Sequence, residues 1–205
     1  MRWRFTLLCL FFLLIGSSSS LTQASHLGVG NAANEGCQCH TYSSATEIFL
    51  EGIPQRFESN ITLNVTLRIE SDVELNEDNH AGGFRLEYIG GGSIGILDET
   101  MTQFLDGYLT HTENGSAYRS WQFEWKTPED NSTSVKFKIF ANAVNGNNQS
   151  TGDGWSALSV TIPGLSSNED FNSKTNQEIE LFDLILLAFG LLILGYLLWT
   201  SFRSN

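Results

Sequence analysis

One compact cluster of chemistry-bearing residues stands out in the chain: Gly36-Cys37-Gln38-Cys39-His40, in a Gly- and Asn-rich stretch ahead of the first strongly patterned strand. Thiolate and imidazole are soft ligands, and here they fall within a single turn's length of chain. Three chemistries suit the pattern, and the residues leave all three open. The first is haem c attachment, whose common form is Cys-x-x-Cys-His, with two thioethers to the vinyls and the histidine on iron. One spacer residue is missing here, which leaves a bond through Cys39 with His40 as ligand. The second is a transition metal held by Cys37, Cys39 and His40, with His80 as a further ligand. The third is a disulfide, either the tight ring within the pair or a bridge between chains. Two thiols in an oxidising compartment call for one of these.

A distal ligand has to come from elsewhere. His111, in Leu109-Thr110-His111-Thr112, is expected in a loop after a strand and is the one favoured, while His80 precedes a strand and His26 lies near the start of the mature chain. Isolated histidines are otherwise ordinary surface residues. Asp153, with Asn142, Asn145 and Asn147, offers oxygen ligands, but the spacing matches no EF-hand loop and such residues ordinarily build turns. No Ser-His-Asp arrangement and no Gly-rich loop opening a helix is present, so no catalytic residue is assigned.

These residues need a scaffold, and the middle of the chain supplies one. Ile61 to Ile69 alternates apolar and polar residues at period two, placing Ile61, Leu63, Val65, Leu67 and Ile69 on one face of a half-buried strand. Segments 84–89, 93–97, 104–110, 118–126, 135–141 and 155–162 read as further strands, with Trp121, Phe123 and Trp125 in alternation and expected in the core. About seven short strands with turn signals between them predict an all-β, immunoglobulin-like antiparallel sandwich.

Both ends point to an envelope protein. Arg2 and Arg4 precede a short apolar run, Phe5 to Ile15, followed by small polar residues, which is the layout of a signal peptide over 1–24. The domain is expected over 25–163, a polar stalk over 164–180, a transmembrane helix over 181–199 and a short tail over 200–205. The span has aromatic residues towards its ends, acidic residues before it and Arg203 after it, which predicts a single-pass type I protein with its N-terminus outside. Between Ser25 and Glu180 there are eight Lys or Arg against 22 Asp or Glu, and no basic stripe, so nucleic acid is a poor partner. Five Asn-x-Ser/Thr sequons, at Asn60, Asn64, Asn114, Asn131 and Asn148, are candidate glycosylation sites on an exposed domain.

The order of these pieces resembles the reeler-like modules of prokaryotic surface proteins known as choice-of-anchor V. The residues that carry the likeness are Gly36, Cys39-His40, Gly83-Phe84, His111-Thr112, Trp121-x-Phe123-x-Trp125-x-Thr127-Pro128, Val135-x-Phe137 and Asn142-x-x-Asn145-Gly146…Gly152-Asp153. It spans about residues 28 to 163. The resemblance implies an extracellular sandwich held to the envelope by a C-terminal device. It also implies an attachment site at Cys37, Cys39 and His40 with His111 distal. Two functions follow as expectations. One is a membrane-anchored module binding haem or a metal for electron transfer or sensing, with a redox partner. The other is a structural or adhesion module for surface protein or glycan partners, its two cysteines disulfide-bonded.

Overall fold

A computed structural model describes residues 25–37, 39–75, 80–147, 149–175 and 181–203. The signal-peptide reading of 1–24 falls outside them. Ten strands form: β1 (Thr46–Glu51), β2 (Thr62–Ser71), β3 (Gly82–Ile89), β4 (Ser93–Ile96), β5 (Thr102–Leu105), β6 (Tyr108–His111), β7 (Ser120–Lys126), β8 (Ser134–Ala143), β9 (Gly154–Pro163) and β10 (Asn172–Thr175). They build two sheets, a four-stranded one in the order β1-β2-β7-β4 and a six-stranded one in the order β10-β9-β8-β3-β6-β5. The recorded strand pairings are antiparallel. The fold is an all-β antiparallel sandwich of two sheets.

The period-two pattern explains the packing. Val65, Leu67 and Ile69 of β2 meet Trp121, Phe123 and Trp125 of β7 on the inner face of the smaller sheet. Phe84 and Leu86 of β3 and Phe137 and Ile139 of β8 face them from the larger one. Buried edge-to-face rings, such as Trp125 against Phe137 at 5.2 Å between centroids, add directional contact to the apolar burial. Where the sequence suggests one strand over 104–110, the chain makes a hairpin. Asp106 and Gly107 turn with φ of 53° and 87°, the double left-handed conformation of a tight two-residue turn, and β5 folds back on β6. The segment read as a polar stalk contains the short exposed strand β10.

The helix α1 (Leu181–Arg203) forms a separate unit of the chain. Among the described residues no helix is long and apolar enough to cross a membrane. The helical backbone is 23 residues long.

Candidate functional site

Alternation along β3 and β8 decides what the larger sheet shows on its outer face. With Phe84, Leu86, Phe137 and Ile139 turned inward, Arg85, Glu87, Lys138, Phe140 and Asn142 turn outward, and Arg85 pairs with Phe140 and Glu87 with Lys138 across the ladder. The N-terminal segment from Ser25 to Ala45 is a strap fastened over part of this face. Gln103 Nε2 donates to the Leu27 carbonyl at 2.6 Å, Val29 N–H to Thr110 Oγ1 at 3.0 Å and Asn31 N–H to Asp106 Oδ2 at 3.0 Å. Further along, Tyr42 bridges Trp155 in parallel, with Trp155 N–H donating to Thr41 O and Ser43 N–H to Trp155 O. The sequence carried no apolar alternation to announce this element. It is held to the sheet by polar contacts to residues about 50 or more positions away.

The Cys-x-Cys-His cluster lies in the strap, and its groups are turned to holding the strap down. The His40 amide donates to the Cys37 carbonyl at 2.9 Å and closes a turn. Gly36 enters that turn at φ 102°, and a Cβ there would stand 2.6 Å from the Trp155 ring, so only glycine lets the strap lie this close. Cys37 packs against the small cluster of Phe140, Trp155 and Ala157. Burial pushes its thiol up to about 12, Cys39 nearby adds to the rise, and Arg85 works against it. The two cysteines are not joined in a disulfide.

His40 is the clip. Its Nδ1 lies 2.8 Å from Asp153 Oδ2, with side chains only 8% and 2% exposed, and its Nε2 lies 3.1 Å from Asn142 Nδ2. With Asn142 donating to Nε2, the proton sits on Nδ1 and is given to the carboxylate. Asp153 Oδ1 accepts the Asn145 amide at 3.0 Å, and Asn145 Nδ2 reaches the Thr151 carbonyl at 3.1 Å. The Asn- and Gly-rich loop between β8 and β9 is thus a cradle shaped around one histidine.

The other histidines are engaged elsewhere. His111 is buried, its Nδ1 accepts the Phe84 amide at 3.1 Å, and the ring also bonds to the backbone of Ser25. Its burial lowers the pKa from 6.5 to about 4, so the ring is neutral at physiological pH. His111 and Asn142 meet over Gly83, whose missing side chain leaves the room: a Cβ would stand 2.5 Å from His111 Cε1 and 3.1 Å from Asn142 Oδ1. His80 is placed with Ser116, at 2.6 Å, and its ring lies 5.1 Å from that of His26. Among the described residues, no group of three His, Cys, Asp or Glu side chains is arranged to hold a metal ion.

The haem and metal expectations therefore find no support in the described residues as arranged. Ligation needs a ring nitrogen with its lone pair turned outward. Both nitrogens of His40 are taken, Cys37 is folded into an apolar cluster, and His80 belongs to another corner. Of the sequence candidates, only Cys37, Cys39 and His40 lie together, while His111 joins that corner through Asn142 and Gly83. Of the sequons, Asn60, Asn64 and Asn114 are exposed, Asn131 is half-buried, and Asn148 lies outside the described residues.

Arg85 is the residue that sequence reasoning missed. It is 1% exposed beneath the strap, with its guanidinium 3.5 Å from the Tyr108 ring centroid and Nη2 donating to Asn34 Oδ1 at 2.5 Å. Glu87 Oε2 stands 3.7 Å from Nη1, too far for a hydrogen bond, and both Nε and Nη1 are buried without an acceptor among the described residues. An arginine in a strand of alternating polar residues reads as solvated, and nothing local signals the strap that covers it.

No family model matches the chain, and no curated protein is detectably similar. The likeness to choice-of-anchor V modules thus rests on the motifs quoted above. Among solved structures, the human F-spondin reeler domain is similar at 16% identity and a TM-score of 0.39, covering 61% of this chain and 95% of that one. The Reelin-N domain of F-spondin is similar at 17% identity and a TM-score of 0.37, covering 68% of this chain and 90% of that one.

Proposed function

We propose that the chain is a structural or adhesion module displayed at the cell surface, in which the Cys-x-Cys-His cluster fastens the fold and holds no cofactor. The double engagement of His40, by Asp153 on one nitrogen and Asn142 on the other, is the observation that carries this reading. A histidine so held serves the strap, and it leaves the sandwich as a rigid body with broad outer faces to offer a protein or glycan partner.

The anchor is the second half of the proposal. The backbone of α1 reaches about 34 Å at 1.5 Å per residue, enough for a bilayer core of about 30 Å. Every described side chain from Leu184 to Trp199 is exposed, including Phe189, Leu192 and Ile193, and apolar groups bared along a whole helix are stable in lipid. Tyr196 and Trp199, near its end, suit a membrane interface. With the N-terminal leader removed, the sandwich stands outside and a short tail inside.

Protease treatment of intact cells expressing the full chain tests the topology, and attachment of those cells to surfaces and to one another tests the role. The expected result is a chain that resists alkaline carbonate extraction, an ectodomain reached by external protease, and attachment that falls when the chain is deleted. Release of the chain by carbonate would overturn the anchor, and unchanged attachment would overturn the adhesive role.

A further inference from the structure

The outer face of the larger sheet concentrates positive charge in an acidic protein. Lys136, Lys138 and Arg85 lie on this face, by the alternation that turns Val135, Phe137 and Ile139 into the core. They are three of the eight cations between Ser25 and Glu180. Glu87, opposite Lys138, is the carboxylate among them. Lys136 is exposed and Lys138 half-buried, with its ammonium 5.1 Å from the Phe140 ring. Further along the same ladder, beneath the strap, is the buried arginine, two of its nitrogens without an acceptor among the described residues.

The way Arg85 is held says what it lacks. Stacking on Tyr108 occupies one flat face of the guanidinium, and Asn34 Oδ1 accepts a hydrogen bond from Nη2. The remaining donors, on Nε and Nη1, lie in the plane of the group, where carboxylate or phosphate oxygens accept hydrogen bonds. Glu87 offsets charge from 3.7 Å without filling either position. A cationic group withdrawn from water with open in-plane donors is unusual unless an acceptor arrives to complete it.

We propose that Arg85, beneath the strap and with Lys138 two residues along the facing strand from its partner Phe140, anchors a binding site for the oxyanion of a small acidic ligand, a carboxylate-bearing sugar or a phosphate group. The proposal rests on the display reading above and names the class of ligand the module takes. The oxyanion enters between the strap and β3, accepts from Nε and Nη1 of Arg85, and has the Lys138 ammonium on its open side, with Lys136 further along β8. Asn34 and the strap move with it, which couples binding to Trp155 under the same strap. Specificity comes from the planar guanidinium, and the lysines gather anions against the protein's negative background.

The test is titration of the full chain in detergent micelles with sodium phosphate and, separately, sodium glucuronate. Ionic strength is held constant with sodium chloride, and binding is read by heat and by tryptophan emission. Saturable binding of at least one anion is expected, weakened several-fold in Lys138→Gln and about a hundredfold in Arg85→Gln. Arg68→Gln, at a half-buried arginine of the smaller sheet, is expected to bind as wild type does. Phosphate binding alone assigns a phosphate group, and glucuronate binding alone assigns an acidic sugar. No saturation with either anion, or equal affinity in wild type and Lys138→Gln, would overturn the proposal. The lysine variant keeps the test decisive should Arg85→Gln fail to fold. Loss of anion binding with intact surface attachment would end this proposal and leave the display reading standing.

Discussion

His40 Nδ1 and Asp153 Oδ2, 113 positions apart in the chain, meet at 2.8 Å beneath a surface that leaves both side chains almost wholly buried. That contact joins the N-terminal strap to the loop before β9. It turns a cluster with the composition of a ligand set into a fastener.

Breaking it is expected to cost much of the strap's stability. His40→Ala leaves Asp153 buried without its partner, a situation that costs about 3 kcal/mol or more. Asp153→Asn keeps an oxygen for the Asn145 amide but sets an amide N–H against the Nδ1 proton, and its cost is about 1–3 kcal/mol. Urea unfolding measures both. Limited proteolysis between residues 27 and 40 should speed up in His40→Ala before the sandwich unfolds.

Stability should fall in mild acid, and His111 should account for an identifiable share. Its value is near 6.5 when unfolded and about 4 when folded. Above pH 6.5 both states hold the neutral ring and the fold has its full stability. As pH drops towards 4 the unfolded chain takes up the proton first and the difference drains away. The span corresponds to about 3 kcal/mol, on the order expected for a buried imidazole. Comparing urea midpoints at pH 7.5 and pH 4 in wild type and His111→Gln isolates it: the variant should lose clearly less on acidification.

The Cys37 thiol should be slow to react while the chain is folded. With its value pushed up to about 12, almost no thiolate is present at pH 8. Alkylation by iodoacetamide followed by peptide mapping should label position 37 slowly in buffer and at an ordinary rate in 8 M urea (a condition of the test). Fast labelling in buffer would mean that the sulfur does not sit against Phe140 and Trp155. Cys37→Ser, which puts a hydroxyl into that cluster, should cost about 1–2 kcal/mol.

Two glycines with similar backbones should respond differently to a methyl group. Gly36 and Gly107 have φ of 102° and 87°, yet a Cβ at Gly36 meets the Trp155 ring at 2.6 Å and one at Gly107 meets nothing within 4 Å. Gly107→Ala should cost only the backbone term, about 1 kcal/mol. Gly36→Ala should cost about 2–3 kcal/mol and shift tryptophan emission to the red as the strap lifts from Trp155.

The sheets were largely legible in the sequence because each inward residue announces itself through its neighbours two positions away. Leu67, Trp121, Phe123, Trp125 and Phe137 all sit where alternation puts them. β1 escaped that reading because its outward Phe49 blurs the pattern, a ring that the Arg68 guanidinium covers at 4.6 Å. The hairpin at Asp106-Gly107 was signalled by its dipeptide and hidden by the apolar residues on both sides. The site was less legible. Cys37, Cys39 and His40 do lie together, and the Asn/Asp loop does build turns, but the pairing of His40 with Asp153 and the burial of Arg85 depend on a strap whose contacts to the sheet are long-range. Local spacing carries no trace of such contacts.

The central claim is that His40 fastens the strap and ligates nothing. The most direct measurement is an absorption spectrum with metal analysis of the full chain, produced in a host that matures c-type cytochromes. The account predicts a colourless protein without stoichiometric metal, whose stability drops in His40→Ala. A Soret band that survives acid extraction and disappears in His40→Ala would contradict it.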